Sequence, residues 1–104
     1  MNWRGIPDPS WPELAQVPSV TRMRLRSENS NQRTIVEFVN ARHRDVFIYW
    51  INYKGRRISY VELGPGERAI MYTFLTHPWV VCDSADHELG CYLPTPRPAR
   101  VIIR

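Results

Sequence analysis

The chain has 104 residues and a net charge of +4, with 43% hydrophobic and 12% aromatic residues. This length predicts a single domain that buries a core without disulfides, and the composition excludes an intrinsically disordered chain. No apolar stretch approaches the ~20 residues that cross a bilayer, and the N-terminus has no signal-peptide pattern. We therefore expect a monomeric cytoplasmic protein, also nuclear if its source is eukaryotic, with no membrane partner.

Arginine supplies nearly all of the positive charge, because Lys54 is the only lysine among the 14 basic residues. The arginines are spread along the chain with acidic residues between many of them, which is typical of a solvated surface. Arginines combined with exposed aromatic rings also occur in proteins that bind single-stranded nucleic acids. No RNP-like or cold-shock-like motif accompanies them here, so we predict no nucleic-acid partner.

The start of the chain differs in pattern from the rest. Residues 1–19 carry four prolines and no alternation of apolar and polar side chains, which predicts an extended N-terminal arm. Within the arm, Ser10 and Glu13 have the spacing of a capping box, which predicts one short helical turn. Trp3 and Trp11 are predicted to anchor the arm to the domain that follows.

Residues 20–104 alternate short apolar runs with turn signals rich in Gly, Pro, Asn and Asp, and they predict one β-domain. Seven or eight short strands, spaced about a dozen residues apart, are typical of an all-β antiparallel β-sandwich. The predicted strands are residues 20–26, 34–39, 46–52, 58–63, 69–75, 79–82, 91–93 and 100–103.

Side chains alternate between the two faces of a strand, so the pattern also predicts which residues face the core. In the fifth predicted strand, Tyr72 and Phe74 lie on the expected core face and Thr73 lies opposite. The same rule places Trp50 and Tyr60 on the less apolar faces of their strands. An exposed aromatic surface with a hydroxyl group is typical of a binding site. Alternation leaves a second arrangement open, in which a two-sheet fold buries these residues in a secondary cluster.

Four residues have side chains that can bind zinc: His77, Cys82, His87 and Cys91 form the pattern H-x4-C-x4-H-x3-C. The spacing fits no C-x2-C knuckle, and the strand that contains Cys82 is predicted to face the core. We therefore predict no metal and no cofactor. In a chain without a signal peptide, the two cysteines are predicted to be free thiols.

Catalysis is not predicted either. The sequence has no G-x-S-x-G motif, and no cysteine lies in a recognisable activating context. Thr73 and His77 could form a hydrogen bond, but no third residue in any motif would orient the imidazole. Peptide recognition fits better, because a surface of Trp and Tyr side chains binds the rigid ring of proline at little cost in ordering. A plain proline groove does not, however, require Thr73 and His77.

Several segments carry a resemblance to a known family: "LRSENS" (25–30), "IVEFVN" (35–40), "YWINYKG" (49–55), "ISYVELGPG" (58–66) and "YTFLTHPWVV" (72–81). Over residues 20–83 the sequence resembles the β-domain of the von Hippel–Lindau (VHL) tumour suppressor family. The combination includes the motifs F-x-N and W-x-N-x-x-G and a Tyr before a Gly-rich turn. It also includes a residue with a hydroxyl group four positions before a His, and a Trp two positions after that His.

The resemblance implies a β-sandwich that binds 4-hydroxyproline in an extended peptide, as the family binds hypoxia-inducible factor α subunits. The expected partner is therefore a prolyl-hydroxylated protein or peptide. By position, Trp50, Tyr60 and Trp79 would surround the pyrrolidine ring. Thr73 and His77 would form hydrogen bonds with its 4-hydroxyl group.

The resemblance also assigns residues around that ring. The phenol of Tyr60 and the backbone near Tyr72 would hold the main chain of the peptide. Four further residues fall where the family contacts flanking peptide or supports the pocket: Asn29, Asn31, Phe38 and Phe74.

The sequence departs from the family pattern at four of these positions. Thr73 replaces a serine and adds a methyl group, whereas Tyr72 replaces a histidine and Phe74 replaces a tyrosine. Asn31 replaces an arginine, which puts the contacts to flanking residues in question.

Full-length members of the family continue into a helical domain that recruits elongin C and a cullin ubiquitin ligase, and this sequence has no such segment after "RVIIR". We expect a stand-alone β-domain or a fragment that does not bind elongin C. The alternative function is a β-sandwich interaction scaffold with a vestigial pocket.

Overall fold

The computed structural model describes residues 10–18 and 25–104, which contain seven β-strands and no helix. The all-β prediction is therefore confirmed. The predicted strand at 20–26 lies mostly outside the described residues, and so does the predicted boundary between arm and domain. The strands are Arg33–Asn40 (β1), Val46–Ile51 (β2), Arg57–Leu63 (β3), Arg68–Phe74 (β4), Trp79–Cys82 (β5), Glu88–Tyr92 (β6) and Ala99–Ile103 (β7). No helix that could span a membrane is found within the described residues.

The seven strands form two sheets, as expected for a β-sandwich. One sheet has three strands in the order β4-β1-β7, and the other has four strands in the order β3-β2-β5-β6. All pairs are antiparallel except β1 with β7, which is parallel. The edge strands β3 and β4 contact each other, so they lie on the same side of the sandwich. That side contains the site described below.

The core lies between the sheets and takes side chains from both of them. Burying one aliphatic or Phe side chain contributes roughly 1.5–3 kcal/mol, so this cluster is the main source of stability. Its buried members are Val36, Phe38, Val46, Ile48, Leu63, Trp79, Val81, Tyr92, Val101 and Ile103. A second cluster, on the opposite face of the four-stranded sheet, contains Ile51, Val80, Cys82 and Cys91. Both cysteines are buried, and neither forms a disulfide.

The described part of the arm pairs with the free edge of β7 instead of forming the predicted helical turn. Leu14 N donates to Arg100 O at 2.7 Å, and Arg100 N donates to Pro12 O at 2.9 Å. The unpaired edge of a sheet offers backbone groups that compete with a local turn, which explains why the predicted helical turn is not formed. Trp11 is buried, as expected for an anchor, whereas Trp3 lies outside the described residues.

The predicted faces of β4 were also wrong. Ala69 and Met71 pack against the core, and Thr73, two residues further, is only 4% exposed. Tyr72, which the pattern placed in the core, is 66% exposed. The alternation of side chains did not identify the core face of β4, because the outer face of this sheet is apolar as well. Ile35, which pairs with Tyr72, is buried on that outer face.

Candidate functional site

A small pocket opens between the sheets where β3 and β4 meet, and we call it the ring pocket. Its volume is about 150 Å³, a size at which a cavity accommodates one small ring. The structure brings together all five residues predicted to bind the ring and its hydroxyl, with two of those predicted around them. The lining residues are Trp50, Tyr60, Tyr72, Thr73, Phe74, His77 and Trp79.

Two larger depressions adjoin the ring pocket. The outer groove, of about 440 Å³, runs over β1 and β4 and is lined by Arg33, Thr34, Ile35, Tyr72, Thr73 and Phe74. The asparagine groove, also of about 440 Å³, is lined by Asn29, Ser30, Asn31 and Tyr53. The predicted flanking residues Asn29 and Asn31 therefore lie outside the ring pocket.

The two tryptophans of the pocket occupy facing positions on neighbouring strands. Trp50 of β2 pairs with Trp79 of β5, and both lie on the inward face of the sheet. Trp79 is 3% exposed and packs on the fully buried Phe38, with ring centroids 5.8 Å apart. Trp79 thus forms the floor of the pocket, Phe38 supports it from below, and the half-buried Trp50 forms a side wall.

Tyr60 reaches the pocket because of a β-bulge. The register between β2 and β3 passes from Ile48–Val61 to Tyr49–Ser59, so Tyr60 is the extra residue. A bulge redirects side chains and breaks the alternation on which face predictions depend. The ring of Tyr60 stands nearly perpendicular to that of Trp79, with centroids 5.0 Å apart. Since Tyr60 is 55% exposed, it forms the outer wall.

Thr73 is held by a hydrogen bond from the floor of the pocket. Nε1 of Trp79 donates to Oγ1 of Thr73 at 3.1 Å. An indole N–H only donates, whereas a hydroxyl both donates and accepts. The bond therefore uses an acceptor site of Thr73 and leaves its hydroxyl hydrogen to be donated to a ligand.

His77 lies in the turn that connects β4 to β5. Its backbone N–H donates to Phe74 O at 3.1 Å, and its imidazole stacks at a tilt against Trp50, with centroids 5.4 Å apart. Burial lowers the pKa of His77, and a hydrogen bond to the backbone carbonyl of Glu28 opposes this effect. The imidazole is therefore neutral at pH 7 and retains one nitrogen that accepts a hydrogen bond.

Tyr53 belongs to this cluster although the sequence did not predict it. Its Oη lies 3.3 Å from Nε2 of His77, and its ring packs edge-on against Trp50 at 5.7 Å. Tyr53 follows β2 in a turn organised by Asn52, whose Oδ1 accepts hydrogen bonds from Lys54 N and Arg56 N. Side chains alternate between two faces only within the strand, and Tyr53 lies beyond the end of β2. Its position next to His77 therefore depends on the conformation of this turn.

The four residues weighed as zinc ligands lie in three different places. His77 is in the ring pocket, Cys82 and Cys91 are in the second cluster, and the exposed His87 pairs with Asp83 at 3.4 Å. Across the described ranges, 10–18 and 25–104, no three His, Cys, Asp or Glu side chains converge in a way that would hold a metal ion.

Comparison with protein families identifies the family of the chain. The family model described as VHL beta domain matches residues 25–91, more than half of the chain. The chain belongs to the VHL β-domain family. The matched range contains strands β1 to β5 and every residue that lines the ring pocket. The VHL β-domain family comprises non-catalytic modules that recognise hydroxylated substrate peptides.

Proposed function

We propose that this protein binds 4-hydroxyproline within an extended peptide of a prolyl-hydroxylated protein. The observation that carries the proposal is the position of Thr73 and His77, two buried polar side chains in the wall of an aromatic cavity sized for one ring. Trp50, Tyr60 and Trp79 surround the pyrrolidine ring on three sides. Membership of the VHL β-domain family supports this assignment. The function requires neither a catalytic residue nor a metal or cofactor.

The hydrogen bonds around the ligand hydroxyl form a chain with a defined direction. The indole N–H of Trp79 donates to Thr73, and the Thr73 hydroxyl donates to the ligand oxygen. The ligand hydroxyl then donates to the unprotonated nitrogen of the neutral His77. Each group in this chain has a partner, as buried polar groups require.

Unmodified proline binds more weakly because it leaves this series of hydrogen bonds incomplete. Its ring still fits between the aromatic walls, but Thr73 and His77 lose contact with water without gaining a partner. Each unsatisfied buried group costs about 1–3 kcal/mol, so two groups give a discrimination of about thirtyfold or more. The aromatic walls contribute affinity for both forms, and the polar pair recognises the modification.

The main chain of the peptide is held at the rim of the pocket. β3 and β4 are the edge strands of their sheets, and an edge strand presents unpaired N–H and C=O groups to an extended peptide. In this arrangement the phenol of Tyr60 and the backbone near Tyr72 contact the peptide main chain. The asparagine groove, with Asn29 and Asn31, receives residues that flank the hydroxyproline.

The binding site is tested with a single capped hydroxyproline residue, so that flanking peptide residues do not contribute to binding. N-acetyl-trans-4-hydroxyproline methylamide is titrated into ¹⁵N-labelled protein, and two matched compounds serve as controls: the cis-4 epimer and the proline analogue. We expect the trans compound to shift the indole N–H signals of Trp50 and Trp79 and the amides of Thr73 and His77. Equal shifts with all three compounds, or shifts confined to another surface, would contradict the proposal.

Affinity for the hydroxyproline form is expected to fall on acidification. Burial holds the pKa of His77 below its ordinary value of 6.5, so the neutral acceptor form predominates above that pH. Protonation removes the acceptor, and affinity decreases as the pH falls through the lowered pKa. The groups that pack against the imidazole are the rings of Trp50, Tyr53 and Phe74.

Calorimetric titrations from about pH 7.5 to about pH 5 measure this dependence. The His77→Ala variant provides the control, since its residual affinity should not vary over this range. An equal loss of affinity in both proteins on acidification would assign the effect to another group.

A further inference from the structure

Tyr53 contacts His77 from outside the ring pocket. Its Oη lies 3.3 Å from Nε2, and its ring meets the imidazole edge-on, with centroids 5.5 Å apart at 89°. Tyr53 lines the asparagine groove and does not line the ring pocket. It therefore contacts one imidazole nitrogen from the side of the asparagine groove.

This contact determines which nitrogen of His77 remains for a ligand. A neutral imidazole carries one N–H donor and one acceptor nitrogen, and the partner of one nitrogen sets the role of the other. Nε2 is engaged by Tyr53, and the backbone carbonyl of Glu28, which only accepts, also takes a hydrogen bond from the imidazole. When both oxygens share the Nε2 proton, Nδ1 is the nitrogen left for the pocket. A ligand hydroxyl can donate to Nδ1 only if the proton resides on Nε2.

We propose that Tyr53 is a positioning residue: its hydroxyl oxygen, together with the Glu28 carbonyl, accepts a hydrogen bond from the Nε2–H of His77, so that Nδ1 is held as an acceptor that recognises the hydroxyl of the ligand. This inference rests on the proposed function, because it explains how that site selects a hydroxylated ring. In the opposite tautomer, Nδ1 would present an N–H and the ligand hydroxyl would face two donors, His77 and Thr73.

The surroundings of Tyr53 hold its hydroxyl in place. Asn52 O accepts hydrogen bonds from Gly55 N and from Ser27 N, each at 3.0 Å. The hydroxyl of Ser27 donates to Ile51 O at 2.6 Å. These bonds tie the turn after β2 to the segment that precedes β1, and the edge-on contact with Trp50 fixes the Tyr53 ring within it.

Two measurements on the Tyr53→Phe variant test the proposal, and the ring contacts are preserved in this variant. The first is the pair of imidazole ¹⁵N shifts of His77 in the free protein, assigned by their loss in His77→Ala. We expect the Nε2–H form in the wild type and a mixture of both tautomers in Tyr53→Phe. The second is the ratio of affinities for a hydroxyproline peptide and its proline twin, which should fall about two- to tenfold.

Tyr49→Phe is the matched control. Tyr49 lies on the outer face of β2 beneath the guanidinium of Arg57, 4.8 Å from the ring centroid. Loss of its hydroxyl should leave both the His77 shifts and the affinity ratio unchanged. An equal change in Tyr49→Phe and Tyr53→Phe would overturn the proposal, since it would show a general effect on the fold.

The two measurements separate this inference from the proposed function. A wild-type protein that does not distinguish the peptides would refute the proposed function, yet the nitrogen shifts would still decide the role of Tyr53. A wild type in the Nδ1–H form, or shifts that do not change in Tyr53→Phe, would overturn the inference even if hydroxyproline binds. An unchanged affinity ratio in Tyr53→Phe would overturn it as well.

Discussion

Replacing Trp79 by alanine is expected to lower the free energy of unfolding by about 3–5 kcal/mol, the range found for large buried aromatic residues. The side chain is almost fully buried, packs on Phe38 and donates to Thr73. Because domains of this size are stable by only about 5–15 kcal/mol, the loss is a large fraction of the total. Urea denaturation followed by circular dichroism measures the change.

Tyr72→Ala is the control for this prediction. Tyr72 is another aromatic residue of the ring pocket, but most of its side chain is in solvent, so we expect a change within about 0.5 kcal/mol. Should Trp79→Ala itself not fold, Trp79→Phe retains a ring and is expected to lose about 1–2 kcal/mol. A Trp79 variant as stable as the wild type would show that the floor of the pocket is not part of the core.

The second large effect concerns the hydroxyl of Thr73. Thr73→Val keeps the shape of the side chain and removes its oxygen, so the Trp79 indole loses its acceptor and a ligand hydroxyl loses its donor. We expect the ratio of affinities for hydroxyproline and proline peptides to fall about five- to a hundredfold, the equivalent of one buried hydrogen bond lost at about 1–3 kcal/mol. Isothermal calorimetry with the peptide pair measures both affinities.

Three further variants show whether that loss is specific. Thr73→Ser retains the hydroxyl and should keep the discrimination, whereas His77→Ala should remove most of it. Trp50→Ala should weaken both peptides and leave their ratio almost unchanged, because an aromatic wall contacts the ring and not its oxygen. If Thr73→Ser lost as much discrimination as Thr73→Val, the role of the Thr73 hydroxyl would be refuted.

The strands were predictable because the sequence marks both their interiors and their ends. The run "VFIYWIN" is rich in β-branched and aromatic residues, and the next turn is marked by "YKG". Each predicted strand between residues 34 and 103 matches an observed strand, with ends that differ by a few residues. β6 was the least well predicted, since its first three residues were placed in the preceding turn.

The faces of the strands were less predictable, because alternation assumes that one face is apolar and the other polar. β4 has apolar residues on both faces, so Thr73 was placed outside although it faces the core. Trp50 was placed on the less apolar face, yet it packs against the core. The faces of Trp50 and Thr73 were therefore predicted wrongly, whereas Tyr60 is exposed as expected. The pocket opens between the sheets instead of on an outer surface.

Two features of the site depend on backbone irregularities that the amino-acid pattern does not reveal. The bulge in β3 turns Tyr60 toward Trp79, and the turn after β2 brings Tyr53 to His77. In both cases the residue type is an ordinary tyrosine, and only the path of the backbone gives it a role. A local pattern could not predict the pairing of the arm with β7 for the same reason, because the partner is distant in sequence.

The central claim is that the ring pocket recognises one oxygen atom on a proline ring. Its most direct test is calorimetry of the wild-type protein with two extended peptides that differ only in the 4-hydroxyl group of a single proline. We predict that the hydroxylated peptide binds about thirtyfold or more tightly than its twin, because only it completes the hydrogen bonds of Thr73 and His77. Equal affinity for the two peptides would contradict the claim.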